Sequence, residues 1–391
     1  MGLRDVQLFL RPDIIELIWG HPALALLPVD EMRQATEVAL ARDGVLALCY
    51  GAEQGPARLI EQLCARMDRL GYAPPPEQVM ITGGTSQALD MLCTLLTRPG
   101  DVVLVESPVY HLALRIFRDH DLDLVPVPGA GQGGVPLFVE ALGETLEDLA
   151  RQGRAARLLY TVPTYNNPTG KTMSMAQRGA LVRLVQRERR TNHPDLLVLE
   201  DDAYHELWYD EPPPSSLYEL APAGPIVRLA SFSKVLAPGL RLGWLSASPE
   251  IVQRCIGCGM LDSGGGINHF TAYVAAAFIE LGFLDRHVAT LRAEYRERRD
   301  VLLAALAEHL PSACHWERLG GGFFAWVRLP PGVDGAAFLP TAEAAGVSYV
   351  PGACFYAGEG GDDRCRLAFT LVSHDDLAAG ARRLGQALRE R

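Results

Sequence analysis

From about residue 79 to residue 246, short apolar runs alternate with longer amphipathic stretches. Val79–Thr82, Val102–Val105, Leu122–Val127, Leu158–Val162, Leu196–Leu199, Ile226–Ala230 and Leu242–Ser246 read as buried strands. Ser86–Thr97 and Ser174–Arg190 carry apolar residues at helical spacing. This alternation predicts an α/β domain around a largely parallel sheet. From His269 to Leu310 the pattern turns helical and long, with Arg-rich faces around Arg292–Arg299. Beyond it, Phe323–Leu329, Val347–Val350 and Cys365–Thr370 read as strands, and Gly335–Ala345 and Asp375–Arg389 as helices. The expected organisation is an N-terminal arm (1–25), a large domain (26–268), and a connecting helix with a smaller α+β domain (269–391). Pro74–Pro76 and Pro212–Pro214 are loops, and no internal repeat is visible.

Composition narrows the picture. A chain of 391 residues can bury two sizeable cores, and 48% hydrophobic with 21% charged residues is ordinary for a globular protein. No apolar run is long enough to span a membrane, and Met1–Arg11 lacks a signal-peptide pattern. The formal net charge of −11 argues against nucleic-acid binding. A cytoplasmic location is expected. The eight cysteines are scattered through a large chain, so reduced thiols are expected. Cys255 and Cys258 form a C-x-x-C without a second pair or a histidine cluster, so they read as two thiols on a helical turn, and no metal is expected. The segment 129–134 formally matches G-x-G-x-x-G, but Val135, Pro136 and Leu137 follow where a helix should start; a surface loop is expected.

One skew matters for chemistry. Of the 36 basic side chains only Lys171 and Lys234 are lysines. Arginine cannot replace lysine where a neutral amine must attack a carbonyl, because guanidinium keeps its charge. Both lysines are therefore candidate nucleophiles.

In an open parallel sheet, ligands bind beyond the carboxyl ends of the strands. Polar residues follow five of the strands here: Gly83-Gly-Thr-Ser86, Glu106-Ser-Pro-Val-Tyr110, Pro163-Thr-Tyr-Asn-Asn-Pro-Thr-Gly170, Glu200-Asp-Asp-Ala-Tyr204 and Ser231-Phe-Ser-Lys234. The set suits a phosphorylated aromatic aldehyde. Lys234 offers an amine for a Schiff base. Gly84, Thr85 and Ser86 open a helix, where backbone N–H groups and the dipole favour a phosphate. Ser231 and Ser233 add donors, and Arg241 can neutralise phosphate charge. Asp201 can pair with a protonated ring nitrogen, Tyr204 and Asn167 can hydrogen-bond a ring oxygen, and Tyr110 offers a flat face.

Ser231-Phe-Ser-Lys-Val-Leu-Ala-Pro-Gly-Leu-Arg-Leu-Gly243, Asn166-Asn-Pro-Thr-Gly170, the Asp201-x-x-Tyr204 spacing and Arg366 in Cys365-Arg-Leu-Ala-Phe369 resemble class I/II aminotransferases of fold type I. Glu200-Asp-Asp-Ala-Tyr-His-Glu206, Gly320-Gly-Gly-Phe-Phe-Ala-Trp326 and Val350-Pro-Gly352 resemble the 2-aminoadipate/kynurenine branch. The resemblance runs from about Ile14 to the C-terminus. It implies pyridoxal 5′-phosphate as cofactor, with Lys234 as Schiff-base lysine and proton shuttle. Asp201 would sit on the pyridine nitrogen, Tyr204 and Asn167 on the ring oxygen, Tyr110 on the ring face, and Thr85, Ser86, Ser231, Ser233 and Arg241 around the phosphate. Arg366 would clamp the substrate α-carboxylate, with Gly20 near the substrate. Tyr50 would reach the phosphate of a neighbouring subunit, which implies a homodimer with shared active sites.

Simpler readings stand beside several of these. Asp202 is the alternative to Asp201, although the offset to Tyr204 favours Asp201. Asn166 can serve only to shape its turn. Lys171 reads as a solvated loop cation, and Arg366 has the alternative of a strand-edge ion pair. His21, His111 and His205 read as packing. Gly264–Gly266 and Asn268–Phe270 lie where specificity varies in the family, and the sequence assigns them no role.

The implied reaction moves an amino group between an L-amino acid and a 2-oxo acid. Two rivals belong to other classes. Replacement, elimination or oxidative deamination on the same cofactor would use the same residues. The fold also serves as the effector module of transcription regulators, but only about twenty residues precede Trp19-Gly20 and the charge is acidic, so a regulator is the less expected reading.

Overall fold

The apolar runs between residues 79 and 246 become one seven-stranded sheet in the computed structural model, which describes residues 5–72, 74–128 and 139–391. The chain enters through a short strand, β1 (Ile15–Glu16), and helices α1 (Val29–Ala47) and α2 (Ala57–Arg69). The sheet strands are β2 (Val79–Thr82), β3 (Val102–Ser107), β4 (Asp123–Pro128), β5 (Ala156–Thr161), β6 (Leu197–Asp201), β7 (Ile226–Ser231) and β8 (Gly243–Ser246). Their order is β2-β8-β7-β6-β5-β3-β4. All run parallel except β8, which is antiparallel to both β7 and β2. The predicted α/β architecture with a largely parallel sheet is therefore present, with each predicted strand displaced by at most two residues at its start or end.

Helices α3 (Thr85–Leu96), α4 (His111–Asp119), α5 (Val139–Arg151) and α6 (Met175–Glu188) follow β2, β3, β4 and β5 in turn. Their alternation over the two sheet faces explains why the strands are buried on both sides. Val103, Val105, Leu158 and Leu199 pack with α3 and α4, while Leu104, Leu159 and Val198 pack with α5 and α6. Strand β4 closes one edge, largely exposed and carrying Pro126 and Pro128, residues that cannot serve a central ladder. A capping box starts α6: the Ser174 hydroxyl accepts from the Gln177 N–H while Gln177 accepts from the Ser174 N–H, a device worth about 1 kcal/mol.

After α7 (Leu217–Leu220), α8 (Pro249–Ile256) and α9 (Gly259–Gly264), the helical stretch expected from His269 to Leu310 consists of two helices, α10 (His269–Glu280) and α11 (Phe283–His309). The break falls at Gly282, whose φ of 68° is left-handed and open to glycine at little steric cost. Helix α10 packs on α1 and α2. The C-terminal part contains β9 (Phe324–Arg328), α12 (Gly335–Ala344), β10 (Val347–Ser348), β11 (Val350–Pro351), β12 (Arg364–Ala368) and α13 (His374–Glu390), with α13 against α11. Val347–Val350, read above as one strand, is divided. Its first two residues pair in parallel with β1, and from Val350 the chain pairs antiparallel with β12. Two partners compete for one apolar run, and local pattern cannot reveal that. Strand β12 lies between β11 and β9, at the centre of a three-stranded sheet.

Cys255 lies in the last turn of α8 and is buried, whereas Cys258 precedes α9, so the C-x-x-C is not one helical turn; both thiols are free. The glycine-rich 129–134 segment lies outside the described residues.

Candidate active site

The carboxyl ends of β2, β3, β5, β6 and β7 open on one edge of the sheet, and β8 begins there. Between β3 and β5 the strand order reverses direction, which leaves a crevice at that edge. Lys234 sits three residues past the end of β7. Its Nζ donates to the Gly20 carbonyl at 2.8 Å and lies 5.5 Å from the centre of the Phe323 ring. Burial first, then the positive charge of Arg366, lower its pKa to about 8, with Arg241 adding to the effect and Asp201 opposing it. The amine is thus held closer to its neutral, reactive form than an ordinary lysine.

Three consecutive acids, the last two residues of β6 and the one after it, point alternately. Glu200 accepts the N–H groups of Leu217 and Tyr218 at 2.8 and 3.0 Å. Asp202 is held by Arg228 at 2.7 Å and lies 3.2 Å from His205. Burial alone would raise the Asp202 pKa; His205 and Arg228 outweigh it and hold the carboxyl well below the usual range. Asp201 faces the other way. Its Oδ2 accepts from the Tyr160 hydroxyl at 2.8 Å, and its buried Oδ1 has no hydrogen-bond partner. Burial raises its pKa to about 6, against the Tyr160 hydroxyl, the Ala203 backbone N–H and the charge of Lys234, while Asp202 adds to the rise. Asp202 Oδ1 is also unpartnered, but Arg228 already neutralises that carboxylate.

Tyr204 is buried against Phe323 and Phe324 and hydrogen-bonds the Asn167 side chain. Asn167 Oδ1 accepts from Arg366 Nη1 at 2.9 Å, and Arg366 Nη2 donates to the Ile18 carbonyl at 2.7 Å. The guanidinium is 4% exposed, lies 4.1 Å from the Phe324 ring centre, and leaves Nε unpartnered. Burial lowers its pKa to about 10, and the groups that offset this are Tyr204, Tyr110 and Cys354, not a carboxylate. Arg366 is therefore not in a strand-edge ion pair. It is a buried cation that lacks an anion, and burying such a charge is costly until one arrives.

At the end of β2, Gly84 turns the chain with φ 93° and precedes α3, whose N-terminus has no side-chain cap. Thr85 and Ser86 are the first two residues of that helix. A Cβ at Gly84 would lie 3.4 Å from Arg241 Nη2 and 3.7 Å from Ser231 Oγ. Ser231 Oγ accepts from the Ser233 N–H at 3.0 Å and donates to Ser233 Oγ at 2.9 Å. A helix N-terminus, two hydroxyls and a guanidinium thus surround one small space, a setting that suits an anion. Tyr110, at the start of α4, is under the influence of Asp201, Arg366 and Arg241, and burial raises its pKa to about 12.

Lys234, Asp201, Tyr204, Asn167, Tyr110, Arg366 and Gly20 converge in this way, with Gly84, Thr85, Ser86, Ser231, Ser233 and Arg241 grouped beside them. Tyr50 does not join them within one chain; it is 88% exposed just beyond α1. Gly265 and Gly266 pack against the backbone of Gly51 and Ala52, next to Tyr50, and Asn268 donates to the Arg241 carbonyl, so this stretch braces both. Lys171 pairs with Glu317 at 2.9 Å and is not simply solvated. Asn166 shapes its turn, accepting from the Thr169 N–H and hydroxyl.

Sequence reasoning missed Tyr160, Glu106 and the Gly20 carbonyl. Tyr160 is one apolar-looking position inside β5, and nothing local marks it as the partner of Asp201. Glu106 does carry a signal: a carboxylate at the end of an otherwise apolar strand.

A family model described as aminotransferase class I and II matches residues 12–384. The chain is 34% identical to the aromatic-amino-acid aminotransferase 1 of Thermococcus litoralis over 97% of its length and 88% of that protein's. It is 34% identical to the 2-aminoadipate transaminase of Thermus thermophilus, over 98% and 92% of the two chains. Among solved structures, the kynurenine aminotransferase of Pyrococcus horikoshii superposes with a TM-score of 0.89 at 34% identity, covering 97% of this chain and 91% of that one.

Proposed function

This chain belongs to the class I and II aminotransferases, and from that premise we propose how its residues divide the work of moving an amino group between an L-amino acid and a 2-oxo acid. The enzyme uses pyridoxal 5′-phosphate, and the residues fit that group. The unpartnered Asp201 Oδ1 awaits an N–H donor, the uncapped α3 N-terminus with Arg241 awaits a dianion, and Lys234 offers an amine. When bound, the cofactor supplies a carbonyl that condenses with amines and a pyridinium ring that accepts electrons from the substrate Cα.

Lys234 would be the residue that holds the cofactor through its carbonyl, and its amine, with a lowered pKa, would serve as the proton carrier at the substrate Cα. Asp201 keeps the ring nitrogen protonated, and Tyr160 orients that carboxylate. Tyr204 and Asn167 hold the ring oxygen, and Tyr110 covers the ring face. Gly84, Thr85, Ser86, Ser231, Ser233 and Arg241 hold the phosphate. Arg366 receives the α-carboxylate that its surroundings lack, and so aligns Cα with Lys234. The Gly20 segment borders the substrate. The buried, anion-free Arg366, whose charge helps to lower the pKa of the Lys234 amine, is the observation that carries this assignment.

The active unit is a homodimer in which Tyr50 reaches the partner's phosphate. Exposed Val45, Leu46, Leu48 and Tyr50 form an apolar end to α1 that suits burial against a second copy. We keep the arm (1–25), large domain (26–268) and C-terminal part (269–391) as working divisions. A cytoplasmic location accords with eight free cysteines and with the absence, among the described residues, of a helix long and apolar enough to cross a membrane.

The test is a half-reaction. A panel of free L-amino acids should convert the visible absorbance of the holoenzyme to that of the aminated cofactor and release matching 2-oxo acids without a second substrate. Borohydride reduction before substrate should place the label on Lys234. A label on Lys171, or ammonia and peroxide in place of oxo acid, would sink the assignment.

A further inference from the structure

Glu106 is the last buried residue of β3, 1% exposed, at the reversal of strand order. Among the described residues no cation pairs with it; burial raises its pKa to about 7 against hydrogen bonds from Val162, Thr161 and Asn166. The ionisable groups that act on it include Asp201 on β6, which raises it further, and Tyr160 on β5, whose own pKa Glu106 helps to raise. A buried acid without a counter-ion is costly, so its place needs a reason.

The hydrogen bonds supply one. Glu106 Oε1 accepts the Val162 N–H at 2.7 Å and Asn166 Nδ2 at 2.6 Å, while Oε2 accepts the Thr161 hydroxyl at 2.9 Å. Asn166 cannot turn away, because its Oδ1 is committed to the Thr169 N–H and hydroxyl, its N–H to the Lys171 carbonyl and its carbonyl to the Gly170 N–H. The next residue is Asn167, whose side chain meets both Tyr204 and Arg366.

We propose that Glu106 is a positioning residue for amino transfer: its carboxylate anchors the Asn166–Asn167 turn and so sets Asn167 between Tyr204, on the ring side, and Arg366, on the substrate side. The proposal rests on the site reading above. Glutamine at 106 keeps the geometry, since its Oε1 can accept from Val162 and Asn166 while its Nε2 donates to Thr161. Alanine removes the acceptor of all three buried donors, Val162 N–H, Asn166 Nδ2 and the Thr161 hydroxyl, and the turn must shift to find others.

The experiment compares Glu106→Gln, Glu106→Ala and Asn166→Ala as holoenzymes. Asn166→Ala breaks the same strap and keeps the carboxylate. The pH midpoint of the visible cofactor band reports the donors on the ring oxygen, because these compete with the proton shared between that oxygen and the Lys234 nitrogen. Glu106→Ala and Asn166→Ala should raise the midpoint relative to Glu106→Gln by about half a pH unit or more, the size expected for one weakened hydrogen bond. They should also raise KM for every amino acid by a similar factor, about threefold or more. Glu106→Gln should stay within about twofold of wild type. Wild-type spectra and kinetics in the alanine variants, with only a lower Tm, would make Glu106 merely structural and overturn the proposal. So would Glu106→Gln as impaired as Glu106→Ala, which would mean that charge and not anchoring matters. If Glu106→Ala fails to fold, Asn166→Ala decides in the same way. A wild-type protein without the visible band would overturn the site reading and this proposal together, whereas a normal wild-type band with unaltered variants overturns this proposal alone.

Discussion

Arg366 Nη1 donates to Asn167 Oδ1 at 2.9 Å across 199 residues of sequence, joining the central strand of the small sheet to the loop after β5. With the roles proposed above, the contact makes the substrate end of the site depend on the cofactor end. Arg366 is buried without a carboxylate partner, so this amide and the Ile18 carbonyl hold it in place while leaving its charge uncompensated.

Substituting Arg366 by lysine should therefore weaken every amino-acid substrate alike, because the α-carboxylate is common to all. One lost bidentate, charge-assisted contact costs about 2 kcal/mol, or roughly thirtyfold in kcat/KM. Steady-state kinetics over acidic, aromatic and aliphatic donors provide the check; a defect confined to one side-chain class would assign Arg366 to the side chain instead.

Adjacent acids should fail differently. Asp201→Asn should leave the fold intact and cut kcat by about a hundredfold or more, since the anionic partner of the ring nitrogen is lost. Asp202→Asn should act on stability, by about 3 kcal/mol, because Arg228 is left buried with a weakened counter-charge. Parallel measurement of kcat and of urea midpoints separates the two. Reversed outcomes would mean that Asp202 faces the ring.

Uptake of cofactor by the apoprotein should accelerate with pH and level off above about 8, where the Lys234 amine has lost its proton. At pH 7 about one amine in ten is neutral, against about one in three thousand for an ordinary lysine. The same lowered pKa sets the sign for stability. Below 8 folded and unfolded chains both hold the proton, and from about 8 to about 10.5 only the unfolded chain does, so apoprotein stability rises through that window. Stopped-flow absorbance and pH-dependent unfolding of Lys234→Met and wild type test both parts; an uptake rate still climbing steeply above pH 9 would contradict the first.

Tyr50 lies outside the site of its own chain, so shared sites should be recoverable by mixing. Lys234→Ala and Tyr50→Phe subunits, each impaired alone, should regain about a quarter of wild-type activity after random exchange, since half the dimers are mixed and each holds one intact site. Sedimentation of wild type as a fully active monomer would exclude the arrangement.

What the sequence determined by itself was local. Burial on both faces makes a parallel strand a continuous apolar run, so the seven strands of the large sheet could be read to within two residues. Parallel strands also deliver their carboxyl ends to one edge, and the motifs after them could be assigned to that edge before any coordinates. Tertiary structure decided whatever depends on partners distant in the chain. Val347–Val350 is one apolar run with two competing neighbours, β1 and β12, and only packing divides it. The helix from His269 breaks at Gly282 because α10 packs on α1 and α2 while α11 packs on α13. Asp201 and Asp202 are chemically the same residue; Arg228 neutralises one and Tyr160 orients the other, and neither partner lies in a spacing that marks it. Hydrophobic periodicity reports how each residue stands to the core, whereas charge compensation depends on which side chains meet across it.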